Sequence, residues 1–513
     1  MRISSTLFFQ TGLNSINAQQ SDLMHLYQQV ASGQRMVTPA DDPLAAAQAI
    51  NISQSQSLNA RFAANRDVAK TNLGTAENAL NSVTTLMQDV KTRLVEAGNG
   101  TLSDADRATL SNVLISARSN LLGLANSTDG SGQYLFSGAQ GGTAAFQEVG
   151  GRIVYMGDTG QRKIQADQTR QIPGSDVGSD IFNRPAPGTS GYLTKADTAG
   201  NIGTGLISTA TITDAKGVNI GNAFKITFTS PTEYTIEVRN PAGAAVLPAV
   251  TGTYTPGTDT SLTLPGGVQV KFSGAPEAGD SFTVDPISLP AYAATALPGN
   301  SNAATMSSPI AVDPALADSG NVFTIKYVEA TDSYEVEVKD AGGNVLPTDP
   351  SYSADANGVL KLPYGMQVKV AGTPADGDTF EVRAADSSNQ TDLNIFDTLD
   401  SIIAALATPM EDDPVAAAKF QNILASAMQR LDVNYNNVLT VRASVGSRLN
   451  EIEALDANGS MRALSYSSQL SKLEEVDYYT ATTQLQLRTS ALEAASLAFK
   501  KIQSIGLFNM SSN

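Results

Sequence analysis

The chain has 513 residues, a formal net charge of −17, 41% hydrophobic and 16% charged residues, and neither cysteine nor tryptophan. That balance argues against nucleic acid or an anionic membrane as main partner, because both reward clustered Lys and Arg. With no thiol and one histidine, His25, the chain has no disulfide, thiolate or His-rich metal site and no Ser-His machinery, so no catalytic, metal or cofactor-binding residue is assigned.

The length implies three or four domains. No apolar run nears the roughly 20 residues of a membrane span, and the opening MRISSTLFFQTGLNSINAQQ lacks the apolar stretch and cleavage site of a secretory signal. Of 22 prolines, 20 lie between Pro173 and Pro414, and the other two are Pro39 and Pro43. The two ends therefore read as helix and the middle as strand and turn.

In the first segment Leu13, Ile16, Gln20, Leu23, Tyr27 and Val30 alternate in steps of three and four, an a/d seam for packing along another helix. VASGQRMVTPADDPLAAAQAI, Val30 to Ile50, interrupts that seam. A catalytic or metal-binding role for Asp41 and Asp42 would need a third polar partner, and none is evident in sequence. A joint between two helices has a mechanism. Gly33 suits the position just past a helix end, Asp42 is a strong N-cap type, and Pro43 suits the first helical position. Both aspartates also lie near the positive end of the next helix dipole.

Leu73, Ala76, Leu80, Val83, Met87, Val90 and Leu94 continue the heptad spacing beyond the joint. Ser103 with Asp106 reads as a capping pair opening a third helix. That helix has the stripe Leu110, Val113, Ala117, Leu121 and Leu124, and 126–132 (NSTDGSG) ends it.

The middle contains a duplication. GNAFKITF (221–228) matches GNVFTIKY (320–327), and LPGGVQVKFSGAPEAGDSFTV (264–284) matches LPYGMQVKVAGTPADGDTFEV (362–382). YTIEVRNPAGAAVLP (234–248) likewise matches YEVEVKDAGGNVLP (334–347), so the offset stays close to 99 residues. Alternation such as Phe323, Ile325, Tyr327 indicates antiparallel strands in two similar small domains.

After Pro414 the helical pattern resumes through Met428, Leu431, Tyr435, Val438, Arg442, Val445, Leu449 and Ile452, with Asp456-Ala457-Asn458-Gly459 reading as a closing turn. A last helix carries Leu470, Leu473, Leu485, Leu492, Ala495, Phe499 and Ile502. Helices of roughly 35 to 80 Å do not make a compact globule, so the terminal seams face either each other or another subunit.

The expected fold is α+β multidomain: a coiled-coil or helix-bundle rod of long N- and C-terminal helices, with two duplicated antiparallel β domains inserted. Its expected parts are terminal coiled-coil segments at 1–42 and 464–513, and a rod with a β-hairpin region at 43–180 and 390–463. The outer β domains fall at 200–290 and 305–386.

Several motifs carry a family resemblance. They are Ser32-Gly33-Gln34-Arg35 with Pro39-Ala40-Asp41-Asp42-Pro43, GNGTLSDADR (98–107), LANSTDG (124–130), YLFSG (134–138), NVLTVRA (437–443) and the closing Leu507-Phe508-Asn509. Over about 1–180 and 390–513 the chain resembles the flagellin superfamily. With Pro43 where flagellin usually has alanine, it resembles the hook-associated branch better than flagellin. The resemblance implies a structural, non-enzymatic subunit of the bacterial flagellum that joins hook to filament. Implied partners are the first hook-associated junction protein, flagellin, further copies of the chain, and the type III export apparatus with its chaperone. It implies export, unfolded and without a cleavable signal, to an extracellular position. The family motif or hinge would be Gly33, Arg35, Pro39, Asp41, Asp42 and Pro43. The polymerisation interface would be Leu13, Ile16, Leu23, Val30, Leu485, Leu492, Phe499, Ile502, Leu507 and Phe508. The alternatives are a filament subunit, or an axial protein whose outer domains also bind glycans or act in adhesion.

Overall fold

The structure, a computed structural model, describes residues 5–508 except 216, 241–244, 247, 288–291, 298, 302–303, 307–308, 313–315, 317–319, 341, 357 and 385–392. The helices are α1 (Ser5–Ser32), α2 (Pro43–Ala97), α3 (Asp104–Ala125), the short α4 (Gly178–Phe182), α5 (Ile395–Ala407), α6 (Pro414–Glu474) and α7 (Tyr478–Phe508). Two small hairpins, β1 (Phe146–Val149) with β2 (Arg152–Tyr155) and β3 (Lys163–Gln165) with β4 (Gln171–Pro173), lie between α3 and α4. The chain divides into two compact units: 1–71, 163–172 and 448–513 form the first, 72–162 and 173–447 the second. α2 and α6 contribute to both.

The second unit holds the continuous core. Leu73, Leu80, Val83, Met87, Val90 and Leu94 of α2 are buried, as are Leu431, Val438 and Val445 of α6. The polar intruder in that seam, Arg442, donates through Nε and Nη2 to Glu77 and through Nη1 to Thr84, so its charge is paired. α3 turns a slightly different face inward than expected. Val113 is exposed, while Leu114 and Ala125 are buried with Leu110, Ala117 and Leu121, because α3 packs on α5. The Ser103–Asp106 capping box forms, with both reciprocal bonds. Phe136, Phe146, Phe182 and Phe396 meet at ring distances of 5.3–6.4 Å beside these helices.

The duplicated segments form two modules of nine strands each. The first comprises β5 (Tyr192–Ala196), β6 (Leu206–Ile207), β7 (Thr211–Ile212), β8 (Ala223–Ser230), β9 (Glu233–Arg239), β10 (Val250–Thr253), β11 (Thr260–Leu264), β12 (Val268–Ser273) and β13 (Ser281–Pro286). The second comprises β14 (Tyr292–Ala296), β15 (Ala304–Met306), β16 (Ile310–Ala311), β17 (Val322–Val328), β18 (Ser333–Lys339), β19 (Val345–Leu346), β20 (Val359–Lys361), β21 (Met366–Gly372) and β22 (Thr379–Ala384). The five-stranded sheets run β10-β9-β8-β13-β5 and β14-β22-β17-β18-β19, the same order in the two copies, each with a four-stranded partner sheet. The strands open at Tyr192 and Tyr292, earlier than the expected 200 and 305.

Equivalent side chains fill both cores: Phe224 and Phe323, Ile226 and Ile325, Val270 and Val368, Phe282 and Phe380. The first module docks on α6 through amides. Asn422 accepts from Ile207 N (3.1 Å) and donates to Gly205 O (2.8 Å), and Gln429 Nε2 donates to Thr194 Oγ1 and Thr209 Oγ1 (3.1 Å each).

In the first unit the β3–β4 hairpin fastens α2 to α6. Arg66 of α2, only 2% exposed, pairs through Nε with Asp456 of α6 and donates through Nη1 to Ala166 O (2.9 Å). Arg170 pairs with Glu451, and Arg462 with Asp167. The turn expected at 456–459 is therefore not a turn. α6 runs on to Glu474, ten residues past the expected boundary at 464, and Leu470 and Leu473 belong to it and not to the last helix. Gly459 serves close approach here, not chain reversal. A Cβ on it would lie 2.5 Å from Arg66 Nη2, and its carbonyl accepts from Asn59 Nδ2 (2.9 Å).

Helix propensity alone gives Gly459→Ala a gain of ~1 kcal/mol. Crowding a tethered, buried arginine costs ~1–3 kcal/mol, so the variant is expected to unfold more readily than wild type in a denaturant titration. An unchanged or raised midpoint would show that Arg66 yields freely.

Candidate functional site

Four helix ends meet at the interruption between α1 and α2: the C-termini of α1 and α6 and the N-termini of α2 and α7. Each end leaves backbone groups without intrahelical partners, and the local sequence supplies them. Gly33 stops α1 with φ +71, and its N–H donates to Gln29 O (2.9 Å). No larger residue suits this place, since a Cβ would also lie 2.9 Å from Tyr478 Oη. Gln34 then forms an antiparallel bridge with Glu475, with Arg35 N donating to Glu474 O (2.6 Å) and Val476 N to Gly33 O (3.0 Å).

Arg35 is the centre of the arrangement. Its Nε and Nη2 donate to Leu473 O (3.1 and 3.0 Å), an orphan carbonyl at the negative end of α6. Its Nη1 donates to Asp42 Oδ2 (3.2 Å). Asp42 in turn caps α2, accepting from Ala45 N (3.0 Å), and Pro43 is the first helical residue. The Ala45 hydrogen bond and then Arg35 hold the Asp42 carboxyl below its usual range.

Asp41 does a different job, folding the loop onto itself. Its Oδ2 accepts from Val37 N (2.8 Å) and Thr38 N (2.9 Å), its Oδ1 from Thr38 Oγ1 (2.9 Å), and His25 Nε2 of α1 lies 3.1 Å away. These bonds, the Thr38 amide foremost, pull its pKa down to about 2. Asp477 mirrors Asp42 across the joint as the α7 cap, accepting from Tyr479 N (3.0 Å) and Thr480 Oγ1 (2.6 Å). Pro39 lines a groove of about 370 Å³ beside this loop, with Met36, Val37, Ala46, Ala49 and Ile50.

α1 and α7 run antiparallel from this joint. The pairings Gln34 with Glu475, Asp22 with Arg488 (2.6 Å) and Gly12 against Phe499 fix the register. Ile16, Leu23, Val30, Leu485, Leu492 and Phe499 are half-buried in this pair. Leu13 and Tyr27 are not: they are 47% and 62% exposed, and Leu26 is the large aliphatic side chain buried in their place. The observed stripe passes through Gly12, Ile16, Leu23, Leu26 and Val30, a slight rotation from the heptad expectation that lets Phe499 close on Gly12. The side chains of Ile502, Leu507 and Phe508 lie outside the described residues. The structure thus gathers all six motif residues into one joint, and adds Leu473, Asp477 and Tyr478, which the sequence reading did not assign.

Because the Asp41 carboxyl is depressed when folded, its contribution is present above the ordinary value of 3.8 and is lost as pH falls towards about 2. Hydrogen exchange corrected for intrinsic rate should therefore show Val37 and Thr38 losing protection across that window, and Asp41→Asn should weaken it at neutral pH. Equal protection in the variant would mean that the carboxylate does not hold the loop.

Residues 3–141 match the bacterial flagellin N-terminal helical region. The chain is 24% identical over 511 residues to flagellar hook-associated protein 3 of Escherichia coli (strain K12), covering 100% of both chains. It is 39% identical over 183 residues to flagellar hook-associated protein 3 of Salmonella typhimurium (strain LT2), covering 36% of this chain and 57% of that one. The crystal structure of FlgL from Xanthomonas campestris aligns with TM-score 0.54 and 24% identity over 82% of this chain and 99% of that one, and so shares its fold. The match over the full length and the N-terminal helical region liken the chain to flagellar hook-associated protein 3, and its fold is that of FlgL.

Proposed function

We propose that the chain is a structural subunit of the bacterial flagellum that joins the hook-associated protein on one side to the flagellin filament on the other, assembling with its own copies through α1 and α7. The observation that carries the assembly step is the poor cover of these two helices. They are 28 and 31 residues long. Among the described residues of α1 the buried large side chain is Leu26, and in α7 the buried apolar residue is Ala481. Leu7, Leu13, Met24, Tyr27, Leu487 and Leu497 stay 47–71% exposed. A helix pair with so little burial gains little beyond local hydrogen bonding, whereas the half-buried seam and the exposed row together suit burial against neighbours in a polymer.

The same economy supports export in an unfolded state through the type III apparatus, with a chaperone shielding the terminal helices. A cysteine-free chain avoids thiol cross-linking on the way. The family motif holds the joint from which these helices spring.

A deletion strain tests the role. It should lack attached filaments and release flagellin monomers into the medium, with the full chain restoring filaments; normal filaments in the deletion strain would refute the junction role. A second test concerns the interface. Leu492→Asp and Phe499→Asp should abolish assembly and filament attachment while the β modules and the α2–α6 rod keep their unfolding transition. Limited proteolysis of the dilute monomer should trim α1 and α7 first; resistant ends would count against assembly-coupled folding.

A further inference from the structure

The groove beside the joint is open and mostly apolar, with Gln34, Thr38, Ser53 and Gln54 also in its lining and one acid, Glu474. Met36, Val37, Pro39, Ala46, Ala49 and Ile50 line it, Ile50 is 58% exposed, and Glu474 is the charged residue on its wall. The Glu474 side chain makes no ion pair among the described residues, because only its backbone carbonyl is used, by Arg35 N. A groove of about 370 Å³ with this lining admits one or two aliphatic side chains, and its single carboxylate favours a cation one helical turn away from them.

The chain itself presents such a feature. Among the described large apolar side chains that are exposed, several have a basic residue within a turn, but that cation is already committed. Beside Leu487, Arg488 pairs with Asp22; beside Leu464 and Met461, Arg462 pairs with Asp167. Beside Ile115, Arg118 pairs with Asp400; beside Leu439, Arg442 pairs with Glu77; beside Val68, Lys70 pairs with Glu453. Two pairs differ: Leu58 with Arg61 on α2, and Leu497 with Lys500 on α7, where neither cation holds an ion pair among the described residues. Leu497 is the more exposed, 68% against 46%, and it stands on the thinly covered α7.

We infer that the joint groove of one subunit receives Leu497 of a second copy of this chain, with Lys500 of that copy against Glu474. Because groove and knob are different surfaces, the contact is heterologous: it leaves a free groove at one end and a free knob at the other. It therefore builds a ring or an open helical array, not a closed dimer. This rests on the self-assembly proposed above and names which surface of one copy meets which surface of the next. It also gives the joint a second task, since Val37 and Pro39 are held in place by the Asp41 loop.

The absence of cysteine makes the test clean. Ile50→Cys and Leu497→Cys are made singly in the full chain, mixed under assembling conditions and oxidised. A disulfide needs the two Cβ atoms ~4 Å apart, so it reports this contact and little else. The expected result is a cross-linked pair in the mixture and none in either variant alone. Lys500→Glu or Glu474→Lys should lower the yield, and the two charge reversals combined should restore it. Assembly of the mixture, seen by sedimentation and electron microscopy, without the cross-link would overturn the groove contact while leaving self-assembly intact. A wild-type chain that never self-associates would overturn both. A cross-link from Leu497→Cys to another flagellar protein but not to Ile50→Cys would assign the knob elsewhere and overturn the inference.

Discussion

The first unit depends on how four helix termini are satisfied at once. A helix C-terminus carries orphan carbonyls and partial negative charge, an N-terminus orphan amides and partial positive charge. Arg35 is long enough to touch one of each kind of end, donating to Leu473 O of α6 and to Asp42, the cap of α2. The bridge between Gln34 and Glu475 ties the two crossing loops, and Asp477 caps the helix that leaves. A lysine in place of Arg35 would present a single ammonium and could not make the same fork of contacts. The joint therefore fixes where α1 and α7 begin, even though their own packing is thin.

Away from the joint, side-chain amides do much of the fastening that cysteine or tryptophan does elsewhere. Asn437 of α6, 1% exposed, donates from Nδ2 to the carbonyls of Asp180, Ile181 and Arg184 at the end of α4. Asn434 reaches Leu393 O, Asn394 reaches Ile153 O while capping α5, and Asn126 exchanges two hydrogen bonds with the backbone of Phe146. The β modules repeat one such device. Asn201 exchanges two bonds with Ser281 and Asn300 does so with Thr379, while the adjacent Asp280 and Asp378 collect the amides of the same two loops. A primary amide can donate and accept towards one peptide unit, so it holds a loop in one register without placing a charge in the core.

The helices, the duplication and the joint were legible because they follow local rules: three–four spacing, a fixed repeat offset, and Gly, Asp and Pro at helix ends. What was illegible depended on a partner distant in sequence. Asp456-Ala457-Asn458-Gly459 has turn composition, yet it stays helical because Arg66, some 390 positions earlier, fills the space that the glycine leaves. Leu13 and Tyr27 fit a heptad on paper, but Phe499 approaches Gly12 and rotates the inward stripe of α1 onto Leu26. The opening strand of each β module was missed because Tyr192–Ala196 and Tyr292–Ala296 are short and pair only with the last strand of their module. The motif residues were recognised by type and place, but the role of Arg35 came into view only once Leu473 O was beside it.

The contrast between the rod and its ends is itself a functional constraint. In the second unit α2 buries Leu73, Leu80 and Val83 completely, and α6 does the same with Val438 and Val445, so these helices stay ordered in one chain. α1 and α7 have comparable apolar content but no third helix to cover it among the described residues. If they were covered within the chain, the monomer would be more stable and would have little left to gain from neighbours. In the role proposed above, leaving the stripe half-covered keeps the free energy of burial available for assembly, and anchoring both helices at Arg35 and Asp477 reduces the number of directions in which that assembly can begin. The proposed junction role requires two different neighbours to be met without aggregation beforehand. A firmly built joint carrying weakly covered helices satisfies both requirements with one set of residues.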